Sequence, residues 1–532
     1  MQKLLALLYD RVIAKRLIAW AVIHAAQTAF QKGKSTLNQI FVLRVLIALI
    51  KQANLPLFIG FFDLEKAFDK VSRPELLKSL IKLGIGSGLL NAIKAMYSVT
   101  KCSVKVGNKL SEVFNSYSGI KQGAPSSVIL FIIFMDGFID IVRQKCVKEP
   151  ILDLLHLLLH ADDMAVLSTN RELFIKKCNV LIDAFEEKKV TLNLKKSGFL
   201  VINPSSEDDR RIIKLKNGWL NYCSEYVYLG VIISDEGTVG NDIDLHVKDR
   251  QKTVLVKLSN FVHNNPTVPI IVKKKVLQSC LNASLLYGCE AWGGSSLLKV
   301  ETLFRKAVKI TYGMINNTPN EIAFIESGEH EHKAQVYKRQ FSFWKKVKDS
   351  IALDPDNEVS KLISLGINKN VTFLRHYKKL HRTFASSTNC SKFWLAKQTE
   401  LLKSNLQAKL AAPTCGTIIA DYVKINPTLV PPGYADKFLL ESDRRVLTKY
   451  RCGCNFLKIN AGRHSHIPRE RRLCKCGQIQ SLHHVIFDCA LTQPIRIGTF
   501  PADLAEFFKD GIFASSKLRH IERILNLRKA DL

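Results

Sequence analysis

The chain has 532 residues, of which 47% are hydrophobic, and its 78 Lys and Arg exceed its 47 Asp and Glu by a net charge of +31. This length exceeds that of a usual single domain, so we expect two to four domains, and the hydrophobic content excludes disorder throughout. A charge this large repels itself unless a polyanion is the partner, which favours nucleic acid over a merely solubilising surface.

Neither a membrane span nor a secretion signal is predicted. The longest apolar run, SSVILFIIFMDGFIDIV, is interrupted by Asp136 and Asp140, whereas a bilayer needs about 18–20 apolar residues. The amino terminus, MQKLLALLYDRVIAKRLIAWA, carries charges at helical intervals and predicts an amphipathic helix. We expect an intracellular protein, nuclear or cytoplasmic and not secreted, with no membrane partner and with mostly reduced cysteines.

Strands and helices are both predicted within the first 240 residues. A strand in PLFIGFF ends at Asp63, and the helix in SRPELLKSLIKLGI starts with a capping box of Ser72 and Glu75. The turn SGIKQGAPSS precedes a long apolar helix, and LHLLLHADDMAVLST predicts a strand, a tight turn and a strand. TLNLKKSGFLVIN and YVYLGVIIS predict further strands. Between the hairpin and these strands lies an amphipathic helix with an apolar stripe of Phe174, Cys178, Leu181 and Phe185.

From about residue 240 onward the pattern is helical and basic. Proline and glycine accumulate between residues 412 and 433, which predicts a linker. In YKRQFSFWKK and FLRHYKKLHR aromatic residues alternate with bases. Phe343, Trp344 and Tyr377 are therefore available to stack on nucleic-acid bases, but amphipathic core helices explain the same pattern equally well.

Three acidic residues point to chemistry. Asp63 ends one strand, and Asp162 and Asp163 lie on the turn of a hairpin, so antiparallel neighbouring strands would bring the three carboxylates together. Carboxylates beside this much apolar surface need a countercharge. Mg²⁺ prefers such oxygen ligands, and two ions about 4 Å apart can promote an in-line phosphoryl displacement. The alternative is a surface hairpin whose acids only turn the chain.

Several motifs resemble one family. FFDLEKAFDKV, GIKQGAPSSVILF, HADDMAVL, LNLKKS and YLGVIIS occur in the order of the palm motifs of reverse transcriptases, and are most similar to those of non-LTR (LINE-like) retrotransposons. AQTAFQKGKSTLNQIF resembles their fingers segment and LLYGCEAW their thumb. The resemblance, over roughly residues 1 to 330, implies an α+β right-hand polymerase fold with fingers, palm and thumb. After it we predict a basic helical extension and a small zinc-binding module. We expect fingers and palm at 1–235, a helical thumb at 236–330, a basic helical region and linker at 331–455 and the module at 456–532.

The resemblance also implies catalytic roles. Asp63 and Asp162 would bind two Mg²⁺ ions, with Asp163 in support. Lys196 would protonate or screen the departing pyrophosphate, a task for which the neighbouring Lys195 is an alternative.

For the substrates, the resemblance implies that Phe68 excludes a 2′-hydroxyl and so favours dNTPs. Gln122 and Gly123 would allow close approach to the nascent base pair, and Lys32 and Lys34 would approach the triphosphate or template. Ser127 falls on a serine position of the family. The strand segment implied to grip the primer is Tyr228, Leu229 and Gly230.

The expected activity is RNA-directed DNA polymerisation, in which dNTPs are added to the 3′-hydroxyl of a DNA primer or target on an RNA template. His160 and Val128 replace the family's usual aromatic residue and proline. The chain also opens after the family's earliest fingers motif, so we expect a reverse-transcriptase core that lacks its front end. One alternative is a catalytically decayed nucleic-acid-binding protein. Another is a viral RNA-dependent RNA polymerase, against which Ala161 and Phe68 argue.

A possible structural zinc site lies near the carboxyl terminus. Three thiolates and one imidazole satisfy a tetrahedral zinc ion, and the C-x-C and H-x₄-C spacings resemble the CCHC finger that follows the polymerase in related elements. The ligands would be Cys474, Cys476, His484 and Cys489. His483 as a ligand, a contribution from the Cys452 and Cys454 pair, and unrelated buried thiols stay open as alternatives.

Overall fold

The computed structural model describes residues 2–149, 151–384, 390–412, 417–432, 439–464 and 466–527. Residue contacts divide the chain into two compact units. Unit 1 comprises residues 1–243, 288–295 and 339–385, and unit 2 comprises residues 244–287, 296–338 and 386–532. The four-part functional division stays a prediction. Residues 413–416 and 433 of the predicted linker lie outside the described residues, and a helix, Thr417–Ile425, occupies its middle.

The first part of the chain mixes helices and strands, as predicted. The helices are α1 (Gln2–Trp20), α2 (Thr36–Gln52), α3 (Arg73–Lys82), α4 (Ser87–Ser98), α5 (Pro125–Lys145) and α6 (Arg171–Glu187). The strands are β1 (Leu57–Phe62), β2 (Lys101–Cys102), β3 (Lys105–Val106), β4 (Lys109–Leu110), β5 (Phe114–Asn115), β6 (Leu157–His160), β7 (Asp163–Ser168), β8 (Gly198–Ile202), β9 (Ile213–Leu215), β10 (Gly218–Tyr222), β11 (Glu225–Tyr228) and β12 (Val231–Ser234).

The described remainder is helical, as its periodicity predicts. Its α-helices are α7 (Val239–Arg250), α8 (Val256–Asn264), α9 (Ile270–Val276), α10 (Ala283–Leu285), α11 (Leu298–Tyr312), α12 (Asn320–Ser327), α13 (Lys333–Leu353), α14 (Glu358–Asn368), α15 (Thr372–Phe384), α16 (Cys390–Ala411), α17 (Thr417–Ile425), α18 (Glu441–Arg451), α19 (Lys458–His464), α20 (Leu504–Phe507) and α21 (Gly511–Ile524).

A six-stranded sheet with the order β6-β7-β1-β8-β10-β9 lies at the centre of unit 1. Strand β1 pairs antiparallel with β7 and with β8, and all six of its residues are buried, because both faces of the sheet are covered. Gly60 of β1 leaves room for the ring of Phe174 on α6, since a Cβ there would lie 2.7 Å from that ring. The predicted hairpin of β6 and β7 and the apolar stripe of α6 are confirmed.

Helix α5 is the apolar helix predicted after the glycine turn. By length and composition it is the one described helix that is long and apolar enough to cross a membrane, and 72% of its apolar window is buried inside the protein. It contacts α1, α3 and α6, so its apolar surface forms part of the core. Core helices and membrane spans can have the same length and apolar composition.

Helix α1 forms where the sequence predicts it, but its apolar residues are not confined to one buried face. Leu4, Leu8 and Val12 are exposed. Asp10 is buried instead, because it accepts hydrogen bonds from the main-chain N–H (3.2 Å) and the hydroxyl of Ser126 in the first turn of α5. The prediction of a simple amphipathic helix is therefore wrong in this detail.

Two turns differ from prediction. Ser72 is the N-cap of α3, but its side chain makes no capping hydrogen bond, and Glu75 pairs with Lys78 instead, so the predicted capping box is absent. YVYLGVIIS forms two antiparallel strands joined at Leu229 and Gly230, not one strand. Both turn residues have positive φ, at 50° and 79°, as in the type I′ turns that favour tight hairpins.

The aromatic residues offered for base stacking are core residues. Phe343, Trp344 and Tyr377 are buried, and their rings lie 5.3, 6.1 and 5.3 Å from that of Phe41 on α2. The Tyr377 hydroxyl donates a 2.5 Å hydrogen bond to the carbonyl of Glu290. The amphipathic-helix explanation is therefore correct, since α13 and α15 turn their aromatic faces inward.

Unit 2 packs helices around buried ion pairs. Glu326 of α12 accepts hydrogen bonds from the Tyr422 hydroxyl (3.0 Å) and the Arg451 guanidinium (2.9 Å). Near the carboxyl terminus, α18 packs on α21, and their apolar core also includes Cys474 and Cys489. This core holds the described cysteine- and histidine-containing segment in place.

Candidate catalytic site and metal centre

Adjacent strands bring the three predicted acids to one end of the sheet. Phe62 pairs with Met164 in the β1–β7 register, so Asp63, one residue further along, faces Asp163. Asp163 in turn pairs with His160 across the hairpin, and Asp162 occupies its two-residue turn. The antiparallel arrangement required by the sequence argument is therefore present.

The electrostatics of this site are those of three uncompensated carboxylates. Among the described residues, no Lys, Arg or His nitrogen lies within 4.0 Å of their oxygens as an ion-pair partner. Reduced hydration and the charges of Asp162 and Asp63 raise the pKa of Asp163 to about 6. Burial and the charge of Asp63 likewise raise the pKa of Asp162. A site that collects negative charge in this way fits a hard divalent cation.

Hydrogen bonds with two residues that the sequence analysis did not single out, Ser197 and Asn193, fix the main chain of Asp63. Its N–H donates to the buried hydroxyl of Ser197 (3.1 Å), and that hydroxyl donates to the carbonyl of Asn193 (2.8 Å). The carbonyl of Asp63 accepts from the N–H of Asn193 (2.9 Å). Both partners belong to the LNLKKS segment, but only its lysines drew attention, because a serine before a strand carries no distinctive signal.

A second missed residue, Gln27, supports the turn that carries Asp162. Its side-chain oxygen accepts from the N–H of Ala161 (3.1 Å). Ala161 has a φ of +60° while Asp162 does not have a positive φ, a pattern typical of a type II′ turn, in which glycine is usual. Next to the turn, Thr28 Oγ1 and His160 Nδ1 are hydrogen-bonded at 2.9 Å. The fingers-like AQTAF segment therefore braces the acidic hairpin.

The segment around Phe68 lies against the predicted Gln122–Gly123 turn. The Phe68 ring is half-buried and stacks on Phe131 of α5 at 4.1 Å. The Gln122 amide donates to Asp69 (2.9 Å), and a Cβ on Gly119 would lie 2.7 Å from the carbonyl oxygen of Asp69. The structure therefore brings Phe68 and Gln122 together. Gly123 is exposed, with φ +81° and open space beside it.

The predicted primer-grip residues lie behind the acids. Tyr228 is buried, with its ring 5.1 Å from that of Phe61, and its hydroxyl has no hydrogen-bond partner among the described residues. Tyr226 stacks on the same Phe61 ring at 4.3 Å. Burial and the nearby charges of Asp63 and Asp163 raise the pKa of Tyr226 to about 12, so this face of β11 adjoins the acidic site.

The predicted cationic residues are placed less tightly. Lys196 and Lys195 are exposed in the turn before β8. The Lys196 carbonyl accepts a hydrogen bond from the Tyr226 hydroxyl (3.1 Å), so this turn adjoins the acids. Lys32 and Lys34 line a cavity of about 960 Å³ whose walls do not include the acids. Burial lowers the pKa of Lys34.

Near the carboxyl terminus, four side chains form a group able to hold a metal ion. Ligand atoms of Cys474, Cys476, His484 and Cys489 all lie within 4.8 Å of one another, which no other group of three or more described His, Cys, Asp or Glu achieves. The Cys474–Cys489 and Cys476–Cys489 Sγ distances are both 3.7 Å, and Cys476 Sγ lies 3.1 Å from His484 Nε2. Three thiols and an imidazole at such distances fit one tetrahedral ion.

The alternative ligands lie outside this group. His483 Nδ1 pairs with Asp488 at 2.9 Å and is half exposed. Cys454 accepts a hydrogen bond from the N–H of Ile315 at 3.4 Å, and Cys452 is fully buried elsewhere in the core.

Comparison with known proteins gives a domain match. Residues 5–233 match the family model for reverse transcriptase (RNA-dependent DNA polymerase). A Pol polyprotein from the type-1 retrotransposable element R2 of Popillia japonica is 24% identical over 331 residues, which are 59% of this chain and 44% of that protein. A probable RNA-directed DNA polymerase from transposon BS of Drosophila melanogaster is 23% identical over 324 residues, covering 57% and 35% of the two chains.

A protein of transposon TX1 of Xenopus laevis is 28% identical over 151 residues, which are 28% of this chain and 12% of that protein. The chain spans less than half the length of these curated relatives. Among solved structures, apo telomerase from Candida tropicalis is similar with a TM-score of 0.34 and 14% identity, covering 74% of this chain and 58% of telomerase. The family match supports the predicted polymerase fold for residues 5–233, and the curated relatives named above are proteins of transposable elements, in line with the predicted resemblance.

Proposed function

We propose that this chain, whose residues 5–233 are a reverse transcriptase domain of the non-LTR retrotransposon type, is an RNA-directed DNA polymerase that adds dNTPs to a primer 3′-hydroxyl. The main support is the placement of Asp63, Asp162 and Asp163 at the same end of the adjacent strands β1 and β7, without a protein countercharge among the described residues. All three lie within the segment that matches the family. An RNA template and a DNA primer are the partners that this reaction requires.

Asp63 and Asp162 are the residues that would hold Mg²⁺, with Asp163 beside them. When bound, Mg²⁺ would activate the attacking hydroxyl and stabilise the leaving oxygen of the phosphoryl displacement. The protein orients the ligands in advance, because Ser197 fixes the main chain of Asp63 and Gln27 fixes the turn of Asp162. Such positioning reduces the reorganisation that the reaction would otherwise require.

Selection of the deoxyribose sugar is assigned to Phe68. Its stacking on Phe131 restrains the ring, and a fixed ring can exclude a 2′-hydroxyl by steric contact. The bonded pair of Gln122 and Asp69 would hold the turn that approaches the nascent base pair. Lys196, Lys32 and Lys34 remain proposals as phosphate contacts, and Tyr228 to Gly230 as the primer contact.

Primer extension tests the polymerase proposal. With poly(rA)/oligo(dT), Mg²⁺ and dTTP we expect extension that UTP does not support. Asp162→Asn should lower the rate by about 10³-fold or more, because metal-assisted charge stabilisation contributes several kcal/mol. Asp356→Asn, at a carboxylate that is 91% exposed on unit 1, is the matched control and should extend normally.

Extension that survives Asp162→Asn would contradict the proposal. Tight binding of poly(rA)/oligo(dT) without extension by the unaltered chain would favour the alternative of a catalytically decayed nucleic-acid-binding protein. Phe68→Ala should admit UTP while dTTP extension persists, and unchanged discrimination would remove the steric role of Phe68.

For the carboxyl-terminal group, the proposal is one structural Zn²⁺ held by Cys474, Cys476, His484 and Cys489, in a module that contacts nucleic acid. The donor set and its spacing support zinc. Metal analysis should find about one Zn²⁺ per chain, lost in Cys474→Ser/Cys489→Ser but retained in Cys280→Ser, a change at an exposed cysteine. Unchanged zinc content in the double variant would contradict the assignment.

A further inference from the structure

A β-hairpin arm, residues 101–117, projects from unit 1 between α4 and α5. Strands β2 and β5 pair at its root, and β3 and β4 pair at its tip. The tip is the two-residue turn Gly107–Asn108, where glycine supplies a φ of +59°, a combination that favours hairpins. A β-bulge separates the two pairs, and Val104 N–H donates to Ser111 Oγ there (2.9 Å). Local turn chemistry, not core packing, therefore shapes the arm.

The arm is unusual in its exposure. All of its residues except Cys102 and Ser116 are exposed. Several of these are apolar or aromatic, including Tyr117 at 81%, Val106 at 75% and Leu110 at 68%. Exposed apolar residues concentrated on one projecting element indicate an interaction surface.

The root of the arm is held rigidly beside the proposed nucleotide site. The Arg73 guanidinium donates to the carbonyls of Ser116 (2.7 Å), Ser118 (3.1 Å) and Gly119 (2.9 Å). Gly119 packs against the main chain of Asp69, whose carboxylate accepts a hydrogen bond from the Gln122 amide. The arm therefore starts directly beside the Phe68–Gln122 region.

The chemistry of the arm fits single-stranded nucleic acid. It carries three lysines, Lys101, Lys105 and Lys109, against the single acid Glu112. Tyr117, whose hydroxyl accepts a hydrogen bond from the Asn115 amide (3.4 Å), offers an exposed ring. Lysines suit phosphates and exposed rings stack on unpaired bases, whereas protein interfaces are depleted of lysine.

We propose that the arm of residues 101–117 binds the unpaired RNA template strand ahead of the nucleotide site. The lysines would contact the phosphates and Tyr117 would stack on a template base. This inference rests on the proposed polymerase function, which names RNA as the template. The arm itself is not part of the catalytic site proposed above.

Equilibrium binding without dNTPs tests the arm separately from catalysis. Fluorescence anisotropy would compare an RNA–DNA duplex bearing a 5′ RNA overhang with the same duplex made blunt. We expect the unaltered chain to prefer the overhang, and Tyr117→Ala to weaken that complex by about tenfold or more. Tyr117→Phe, which keeps the ring, should bind as the unaltered chain does.

The lysines are tested by the salt dependence of binding. Replacing Lys101, Lys105 and Lys109 with alanine should reduce the slope of log K against log salt by about 2, because single strands release roughly 0.7 counterion per contact. A matched control replaces the exposed Lys345, Lys369 and Lys379, which changes the charge equally outside the arm and should leave the slope unaltered.

Loss of overhang preference in the arm variants alone, with blunt-duplex affinity retained, supports the proposal. Equal binding of both duplexes by the arm variants and the unaltered chain overturns it. Unchanged RNA binding together with altered self-association would also overturn it, in favour of a protein interface. Since no step requires turnover, failed primer extension would refute the polymerase proposal without deciding this one.

Discussion

Ser197→Ala is the sharpest test of how the acidic site is built. The substitution removes one buried hydroxyl, which both accepts from the Asp63 N–H at 3.1 Å and donates to the Asn193 carbonyl at 2.8 Å. Alanine leaves the Asp63 N–H without that acceptor. An unsatisfied buried donor costs about 1–3 kcal/mol, so we expect a stability loss in this range.

The functional consequence should appear as a metal requirement. If about 1.4 kcal/mol of the positioning of Asp63 is lost, the Mg²⁺ concentration for half-maximal extension rises about tenfold. Primer extension over a Mg²⁺ series measures this shift. Amide hydrogen exchange of a peptide containing Asp63 reports independently on the lost hydrogen bond.

A matched serine separates stability from metal dependence. Ser515 of α21 is also buried, and its hydroxyl donates to Asp443 Oδ1 at 2.9 Å, so Ser515→Ala should lower stability similarly without changing the Mg²⁺ requirement. If Ser197→Ala keeps the Mg²⁺ dependence and the exchange rate of the unaltered chain, the hydrogen-bonded support of Asp63 has been assigned wrongly.

Three further predictions follow from buried or strained groups. Burial raises the pKa of Glu301 to about 8, so only the unfolded chain releases this proton between about pH 4.3 and 8. The free energy of unfolding should therefore fall with rising pH, and Glu301→Gln, compared by denaturant titration, should flatten that slope and be the more stable protein at pH 8. Lys177→Met leaves the charge of its buried partner Glu149 uncompensated and should lower the free energy of unfolding in urea by about 3–5 kcal/mol. The double variant Lys177→Met/Glu149→Gln should regain most of this stability. A double variant as unstable as the single one would contradict this reasoning. A Cβ at Gly119 (φ +77°) would lie 2.7 Å from a main-chain atom, whereas a Cβ at Gly123 (φ +81°) would meet no atom within 4 Å. In thermal unfolding, Gly123→Ala should therefore lose about 1 kcal/mol of stability and Gly119→Ala clearly more. Equal losses would refute the steric argument.

The sequence was sufficient to predict where the three acids lie, while their catalytic role stays a prediction. Asp63 follows an uninterrupted apolar strand, and Asp162 and Asp163 lie on a tight turn, so strand periodicity alone locates all three. The hairpin, the buried face of α6 and the cysteine group with His484 are likewise encoded in local patterns.

The supporting contacts could not be predicted, because they join residues far apart in the chain. Gln27 reaches Ala161, and Ser197 reaches Asp63, and neither residue type signals such a role. For the aromatic residues, periodicity could not decide between stacking and core, since Phe343 and Tyr377 pack on Phe41, about 300 residues earlier in the chain. The buried Asp10 is a similar case, because its partner Ser126 lies in another helix.

The ring cluster on Phe41 also has a consequence for biosynthesis. Helix α2 emerges from the ribosome well before the rings that cover it, because Trp344 and Tyr377 are translated more than 300 residues after Phe41. At about 5–20 residues per second, the apolar surface of α2 stays uncovered for many seconds during synthesis. A fragment that stops at the end of the family match would keep that surface bare permanently, and chaperone demand or aggregation should fall sharply once translation passes residue 385.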